Sequence, residues 1–131
     1  MNKGNLDNKV IYPELSYTIT GVLFYVQNTL GVGHKEKYYE EAVAQELAKR
    51  GVLFTRQFYV PVIYEGKNIG KYYFDFLVDN KIVVELKVGN HFSPQSIEQT
   101  YRYLRVSDLR LGILARFSHD GVKIKRVLNA G

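Results

Sequence analysis

Apolar side chains recur at helical spacing in two segments of the first 50 residues. The first segment covers residues 14–30 and stops at Gly31-Val32-Gly33, because consecutive glycines break a helix. The second covers residues 35–50, where Gly51 supplies a stop. We expect a flexible arm over residues 1–13 and a single domain over residues 14–131. The apolar stripes are Leu15, Ile19, Val22, Leu23, Val26 and Leu30 in the first helix and Tyr39, Val43 and Leu47 in the second.

Beyond residue 57 the pattern changes to the alternation that is typical of β-strands. The predicted strands cover residues 58–64, 71–78, 81–88, 111–117 and 122–127. Pro61 lacks an N–H group, which favours an edge position or a bulge for the first strand. Ser93-Pro94 begins a third helix, which ends near Arg105 and packs through Ile97, Tyr101 and Leu104. The order α-α-β-β-β-α-β-β predicts an α/β fold with one mixed sheet flanked by helices.

Composition narrows the class of protein. Apolar residues make up 46% of the 131 residues, enough for one core, and the net charge of +5 is compatible with a nucleic-acid partner. The absence of cysteine excludes disulfides and thiolate zinc sites. The apolar stretch at residues 21–26 is too short for a signal peptide or a membrane span. We therefore expect a cytoplasmic protein with no membrane partner.

The candidate chemistry lies in two adjacent predicted strands. Glu85 and Lys87 are two residues apart, so both side chains project from one face of a Val-rich strand. Burying either charge is costly, and one explanation is that the two simply pair with each other at the end of the sheet. Asp75 is a second charge in apolar surroundings, because it lies between Phe74 and Phe76.

The connection at Asp79-Asn80 decides whether Asp75 and Glu85 can meet. A loop of three residues, or a bulge, places Asp75 directly across from Glu85. A strict two-residue loop places Asp75 opposite Val84 instead, on the other face of the sheet. We predict the irregular loop.

Two facing carboxylates repel each other unless a cation lies between them. Hard oxygen ligands suit Mg²⁺ or Mn²⁺ rather than zinc, and such an ion can activate water and stabilise the transition state of phosphodiester hydrolysis. Lys87 could orient or help deprotonate the attacking water, or hold the phosphate. Asp75, Glu85 and Lys87 together therefore predict a metal-dependent, nuclease-type site.

Further candidate residues have ordinary explanations beside functional ones. Glu36 extends the stripe of the second helix, where it could cap the helix or reach a metal-bound water. Gln99 could contribute to the site or lie on a solvated polar face. The cations Lys35, Arg102 and Arg105 could line a phosphate track or form a solvated surface. Tyrosines could stack on unpaired bases, but those in strands, such as Tyr59 and Tyr73, are explained more simply by sheet packing.

The segment Gly33–Tyr39 resembles the G-x-x-E-x-x-Y signature of the GxxExxY proteins, which belong to the PD-(D/E)xK nuclease-like superfamily. The similarity extends through the segments around Asp75, Glu85 and Gln99. It implies a restriction-endonuclease-like αβββαβ core with an extra N-terminal helix. It also implies metal binding at Asp75 and Glu85, contact of Lys87 with water or phosphate, and supporting roles for Glu36 and Gln99.

We therefore predict a Mg²⁺- or Mn²⁺-dependent nuclease that acts on nucleic acid, with DNA favoured over RNA. The alternative is a catalytically silent module that binds nucleic acid or protein through the same fold. A homodimer is plausible for either.

Overall fold

The computed structural model describes residues 11–130. Its elements follow the predicted order, and the segment from α2 to β4 forms the αβββαβ core, with α1 as the extra N-terminal helix. The elements are α1 (Pro13–Leu30), α2 (Glu36–Lys49), β1 (Phe54–Tyr64), β2 (Lys67–Val78), β3 (Ile82–Val88), α3 (Pro94–Ser107), β4 (Leu111–Ser118) and β5 (Gly121–Leu128). Within the described residues, no helix combines the length and hydropathy needed to cross a membrane.

The predicted flexible arm falls mostly on residues 1–10, which lie outside the described part of the chain. Of the remaining three residues, Ile11 is buried and its carbonyl accepts a hydrogen bond from Arg126 at 3.1 Å. Pro13 is the first residue of α1. Proline is favoured at this position because its missing N–H would have no partner within the helix.

The five strands form one mixed sheet in the order β1-β2-β3-β4-β5. Only β3 and β4 run parallel, and α3 makes the crossover between them; the other pairs are antiparallel. Of the edge position or bulge predicted for the strand that contains Pro61, the edge position is confirmed, because among residues 11–130 β1 has β2 as its one neighbour.

Helices cover both faces of the sheet. On one face α1 and α2 bury the apolar stripes predicted from the sequence, except that Leu15 and Leu30 are only partly buried. On the other face α3 packs over a smaller cluster, and Ser93 caps its N-terminus as predicted, accepting hydrogen bonds from Gln95 and Ser96.

The packing side predicted for α3 is partly wrong, because Tyr101 is 41% exposed while Thr100 and Tyr103 are buried. Thr100 can be buried because its hydroxyl donates to the Ser96 carbonyl at 2.8 Å. Beneath it, a Cβ at Gly112 would lie 2.9 Å from Thr100 Cγ2, so this glycine allows the close approach of α3 to β4.

Candidate active site

The connection between β2 and β3 has the irregular geometry that the chemistry required. Val78 pairs with Ile82, which leaves Asp79, Asn80 and Lys81 as a loop of three residues. Asp79 and Asn80 both adopt positive φ angles, 51° and 56°, a conformation that these side chains tolerate better than most. The predicted register is therefore confirmed, and one step beyond the last regular pair brings Asp75 opposite Glu85.

Where β2 and β3 separate, the two carboxylates accept hydrogen bonds from main-chain N–H groups of the opposite strand. Regular pairing ends at Phe76 and Val84. Just beyond it, Glu85 Oε1 accepts from the Asp75 N–H at 3.0 Å, and Asp75 Oδ2 accepts from the Leu86 N–H at 2.8 Å. Each side chain thus satisfies a donor on the opposite strand that would otherwise lack a ladder partner. This reciprocal arrangement fixes both carboxylates.

Tyr72 is a member of the site that the sequence did not reveal. Its hydroxyl donates to Glu85 Oε2 at 2.6 Å, and its ring stacks on Tyr103 of α3 with the centroids 4.3 Å apart. The available signal was a tyrosine two residues before the buried Phe74 on the same strand face, because a buried phenol needs a hydrogen-bond partner. Its partner depends on the strand register, so the sequence alone could not name it.

Lys87 lies at the solvent side of this pair. Its Nζ is 4.0 Å from Glu85 Oε2, and its side chain is 41% exposed whereas that of Glu85 is 9% exposed. Such a long contact to a largely solvated ammonium stabilises little. Simple pairing of the two charges therefore does not account for a carboxylate as buried as Glu85.

Burial and mutual repulsion shift both acids in the same direction. Burial, followed by the negative charge of Asp75, raises the pKa of Glu85 to about 7, against the opposing effects of Tyr72, the Asp75 N–H and Lys87. Burial also raises the pKa of Asp75, which the Leu86 N–H opposes and the charge of Glu40 reinforces. The neighbouring protein groups therefore do not fully compensate the negative charge that the two carboxylates carry when they are ionised.

This donor set fits a hard divalent cation. Asp75 and Glu85 offer oxygens only, and each carboxylate retains lone pairs beyond those used by its hydrogen bonds. Within residues 11–130, no group of three His, Cys, Asp or Glu side chains could hold a metal ion. The protein would thus supply two carboxylates and leave the remaining positions to water or phosphate, an arrangement that Mg²⁺ commonly adopts.

Glu36 lies near the carboxylate pair, although not as a buried extension of the α2 stripe. It is exposed, which corrects that prediction, and α2 begins without a side-chain cap. Partial burial of its carboxylate, followed by the charge of Asp75, raises the pKa of Glu36, while Lys87 lowers it. Glu36 is therefore electrostatically coupled to the site.

Glu40, one turn further along α2, is a second acid that the sequence did not single out. Its Oε2 accepts from Arg56 Nη2 at 2.8 Å and from Gln57 Nε2 at 3.4 Å. These contacts tie α2 to β1 beside the site, and the charge of Glu40 contributes to the raised pKa of Asp75.

The other predicted residues occupy different faces of the molecule. Gln99 is half-buried and forms no side-chain hydrogen bond with the rest of the described chain; it precedes Tyr103 by one helical turn. Lys35 is exposed at the start of α2, whereas Arg102 and Arg105 are exposed on α3, across the sheet. Lys35 therefore lies on the opposite side of the sheet from Arg102 and Arg105.

We expect Tyr72→Phe to lower the free energy of unfolding by about 1–3 kcal/mol, because Glu85 loses a charge-assisted hydrogen bond in a buried place. Urea denaturation measures the change. Tyr59→Phe is the matched control: the Tyr59 hydroxyl accepts an exposed hydrogen bond from Asn68, and its loss should cost less than about 0.5 kcal/mol. Equal effects for the two variants would contradict a supporting role for Tyr72.

Comparison with known proteins identifies a family that the sequence matches. A family model described as the PD-(D/E)XK nuclease superfamily matches residues 13–127. No curated protein matches the sequence.

The solved structures that resemble the fold include the following two. The crystal structure of SSO0001 superposes with a TM-score of 0.57 and 16% identity, over 71% of this chain and 49% of that one. The alkaline exonuclease LHK-Exo from Laribacter hongkongensis superposes with a TM-score of 0.53 and 12% identity, over 84% of this chain and 68% of that one. This chain thus spans about half the length of SSO0001. At such identities the likeness establishes the fold alone.

Proposed function

Because this chain belongs to the PD-(D/E)XK nuclease superfamily, we propose that it is a metal-dependent nuclease that hydrolyses nucleic-acid phosphodiester bonds with metal-activated water. The observation that carries the proposal is the fixed, uncompensated carboxylate pair Asp75–Glu85 beside the solvated ammonium of Lys87. DNA is the proposed substrate in preference to RNA. A homodimer and a cytoplasmic location stay predictions.

Asp75 and Glu85 would hold Mg²⁺ or Mn²⁺, which lowers the pKa of a bound water and neutralises charge in the transition state. The main-chain N–H groups of Asp75 and Leu86 orient the two carboxylates, and Tyr72 restrains Glu85 from the α3 side. These contacts pre-position the acids, so little reorganisation is needed during the reaction.

The neighbouring polar residues have separate proposed roles. The ammonium of Lys87 would orient the attacking water or hold the scissile phosphate, because it is close to Glu85 yet exposed to solvent. Glu36 would accept a hydrogen bond from water at the site, and Gln99 would help orient the substrate or water from α3. Lys35, Arg102 and Arg105 would contact phosphates, which is compatible with their exposure.

We further propose that the chain is a GxxExxY-type member, because three residues of that signature have distinct physical roles. Gly33 has a φ of 86°, which favours glycine, and Glu36 is coupled to Asp75 and Lys87. Tyr39 is buried: its ring stacks on Phe117 at 4.2 Å and its hydroxyl donates to the Gly31 carbonyl at 2.6 Å. The signature therefore anchors the start of α2, which carries Glu36, against the sheet.

A binding module without turnover is the second candidate. The observation that favours it is the lack of a third metal-ligating side chain among residues 11–130.

Cleavage assays separate the two candidates. Labelled single-stranded, duplex and branched DNA and RNA are incubated with Mn²⁺ or Mg²⁺, with EDTA as the control. We expect cleavage that requires the metal, and anomalous density between Asp75 and Glu85 in crystals soaked with Mn²⁺. Bound Mn²⁺ without cleavage of any substrate would favour the binding module, whereas neither binding nor cleavage would contradict the metal site itself.

A further inference from the structure

The β1–β2 hairpin extends past the rest of the sheet. β2 pairs with β3 only from Phe76 to Val78, whereas its pairing with β1 continues to the turn at Glu65-Gly66. We call residues 58–64 and 67–74 the hairpin arm. One face of the arm packs under α3, and its residues there are Phe58, Val60, Val62, Tyr72 and Phe74.

The opposite face of the arm carries exposed aromatic rings, which corrects the expectation that these tyrosines are packed. Tyr59 pairs with Tyr73, and Pro61 with Lys71, in successive positions on that face. We call these four residues the tyrosine face. Tyr59 is 44% exposed and Tyr73 41%, and their ring centroids lie 5.7 Å apart with planes tilted by 53°. The rings therefore present apolar surface to solvent rather than stacking on each other.

The charge and position of the tyrosine face suit a polyanion. Lys71 Nζ lies 5.8 Å from the centroid of Tyr73, and Lys67 is exposed at the start of β2. Tyr73 is two residues from Asp75 on the same strand, a separation of about 7 Å along the strand. Arg56 forms ion pairs with two acids of α2, Glu40 and Glu41, where that helix meets β1. The tyrosine face thus begins two residues from Asp75 along β2.

A second copy of the chain fits this surface less well. Pairing of two edge strands needs a continuous row of backbone donors, and Pro61 interrupts that row in the middle of β1. Duplex DNA also fits poorly, because its bases stack on one another and cannot offer their faces to a tyrosine. Unpaired bases can do so, and stacking on aromatic side chains is tolerant of sequence.

We propose that the tyrosine face binds single-stranded nucleic acid, with unpaired bases stacking on Tyr59 and Tyr73 and Lys71 contacting phosphate, so that the strand leads to the carboxylate pair. This inference rests on the proposed function for its choice of a nucleic-acid ligand. It assigns the single strand, or a single-stranded end or junction arm, as the bound form of the substrate.

Fluorescence anisotropy in EDTA tests this without requiring cleavage. The probes are a short fluorescein-labelled oligothymidylate and a duplex of the same length. We expect Tyr59→Ala and Tyr73→Ala each to raise the Kd for the single strand about tenfold, and to change the Kd for the duplex less than about twofold. Tyr73→Phe keeps the ring and should bind like the wild type. Lys71→Ala should lower the slope of log Kd against log salt by about 0.7.

Tyr17→Ala is the matched control, because Tyr17 is 71% exposed on α1, away from the arm; its Kd should equal that of the wild type. Unchanged binding by both arm variants, or equal losses for single strand and duplex, would overturn the inference. So would a wild-type dimer that Tyr73→Ala dissociates in sedimentation experiments. A protein that binds the single strand through these tyrosines but cleaves nothing would refute the nuclease and support the tyrosine face.

Discussion

Replacing Glu85 by glutamine is expected to reduce cleavage by at least about a thousandfold while making the metal-free protein more stable at pH 8. The loss of activity follows from removing one of the two proposed metal ligands, since the ion is expected to supply several kcal/mol of transition-state stabilisation. The gain in stability follows from removing a buried charge that repels Asp75.

The sign of the stability effect comes from the pKa of Glu85, which the folded protein raises to about 7. A carboxyl group whose pKa is raised on folding binds more protons in the folded state, so its contribution to stability falls as pH rises from about 4.5 to 7. At pH 8 the ionised carboxylate therefore destabilises the metal-free fold. Glutamine remains neutral, and we expect a gain of up to roughly 3 kcal/mol, because the pKa of Glu85 rises from 4.5 to about 7 on folding.

Urea unfolding in EDTA at pH 8 and pH 5 measures this difference. At pH 5 the wild-type carboxyl is largely protonated in the folded state, so the advantage of Glu85→Gln should shrink. Glu98→Gln, an exposed position on α3, is the control and should change stability by less than about 0.5 kcal/mol at either pH. A variant less stable than the wild type at pH 8 would show that the repulsion is compensated by other groups.

Glu85 also shows why part of the site could be predicted from the sequence. A charge in the middle of an apolar strand needs a compensating partner, and Asp75 could meet it in one register only. The chemistry thus favours an irregular connection, either a three-residue loop or a bulge, and the structure has the three-residue loop. The alternation of the strands and the apolar stripes of the helices likewise predicted the order of elements. Apolar residues recur with one period in strands and with another in helices, so each pattern identifies its element.

Other features depend on contacts that no local pattern encodes. Tyr72 reaches Glu85 where the regular β2–β3 pairing has ended, and Glu40 pairs with Arg56 only because α2 packs on β1. The exposure of Tyr59 and Tyr73 depends on whether a helix covers the face of the arm opposite α3. Alternation shows that a strand has two faces, but it does not show whether the second face is covered.

The site retains a destabilising negative charge that its proposed function requires. Tyr72 and two main-chain N–H groups hold acids that repel each other, so the metal-free fold retains charge that a cation could neutralise. Binding of Mn²⁺ should therefore stabilise the protein, most strongly above pH 7, where Glu85 is ionised. Because metal binding, pH and folding stability are linked, the role of a residue in binding the metal can be measured separately from its role in catalysis.

Lys87→Ala is expected to lower the single-turnover cleavage rate about a hundredfold to ten-thousandfold without weakening the binding of Mn²⁺. Lys87 is 4.0 Å from Glu85, so its positive charge competes with a metal ion for the same carboxylate. Removing the ammonium should leave the affinity for Mn²⁺ equal or somewhat higher, because the carboxylates lose a competing cation. The rate should fall because the attacking water or the phosphate loses its contact.

Isothermal titration with Mn²⁺ and single-turnover kinetics on the same samples distinguish these effects. Lys81→Ala is the matched control: Lys81 precedes the other end of β3, is similarly exposed, and pairs with Asp79 at 3.1 Å. It should change neither quantity by more than about twofold. If Lys87→Ala weakened Mn²⁺ binding as much as cleavage, Lys87 would act by shaping the metal site. If it left cleavage unchanged, its contact with water or phosphate would have no part in the reaction.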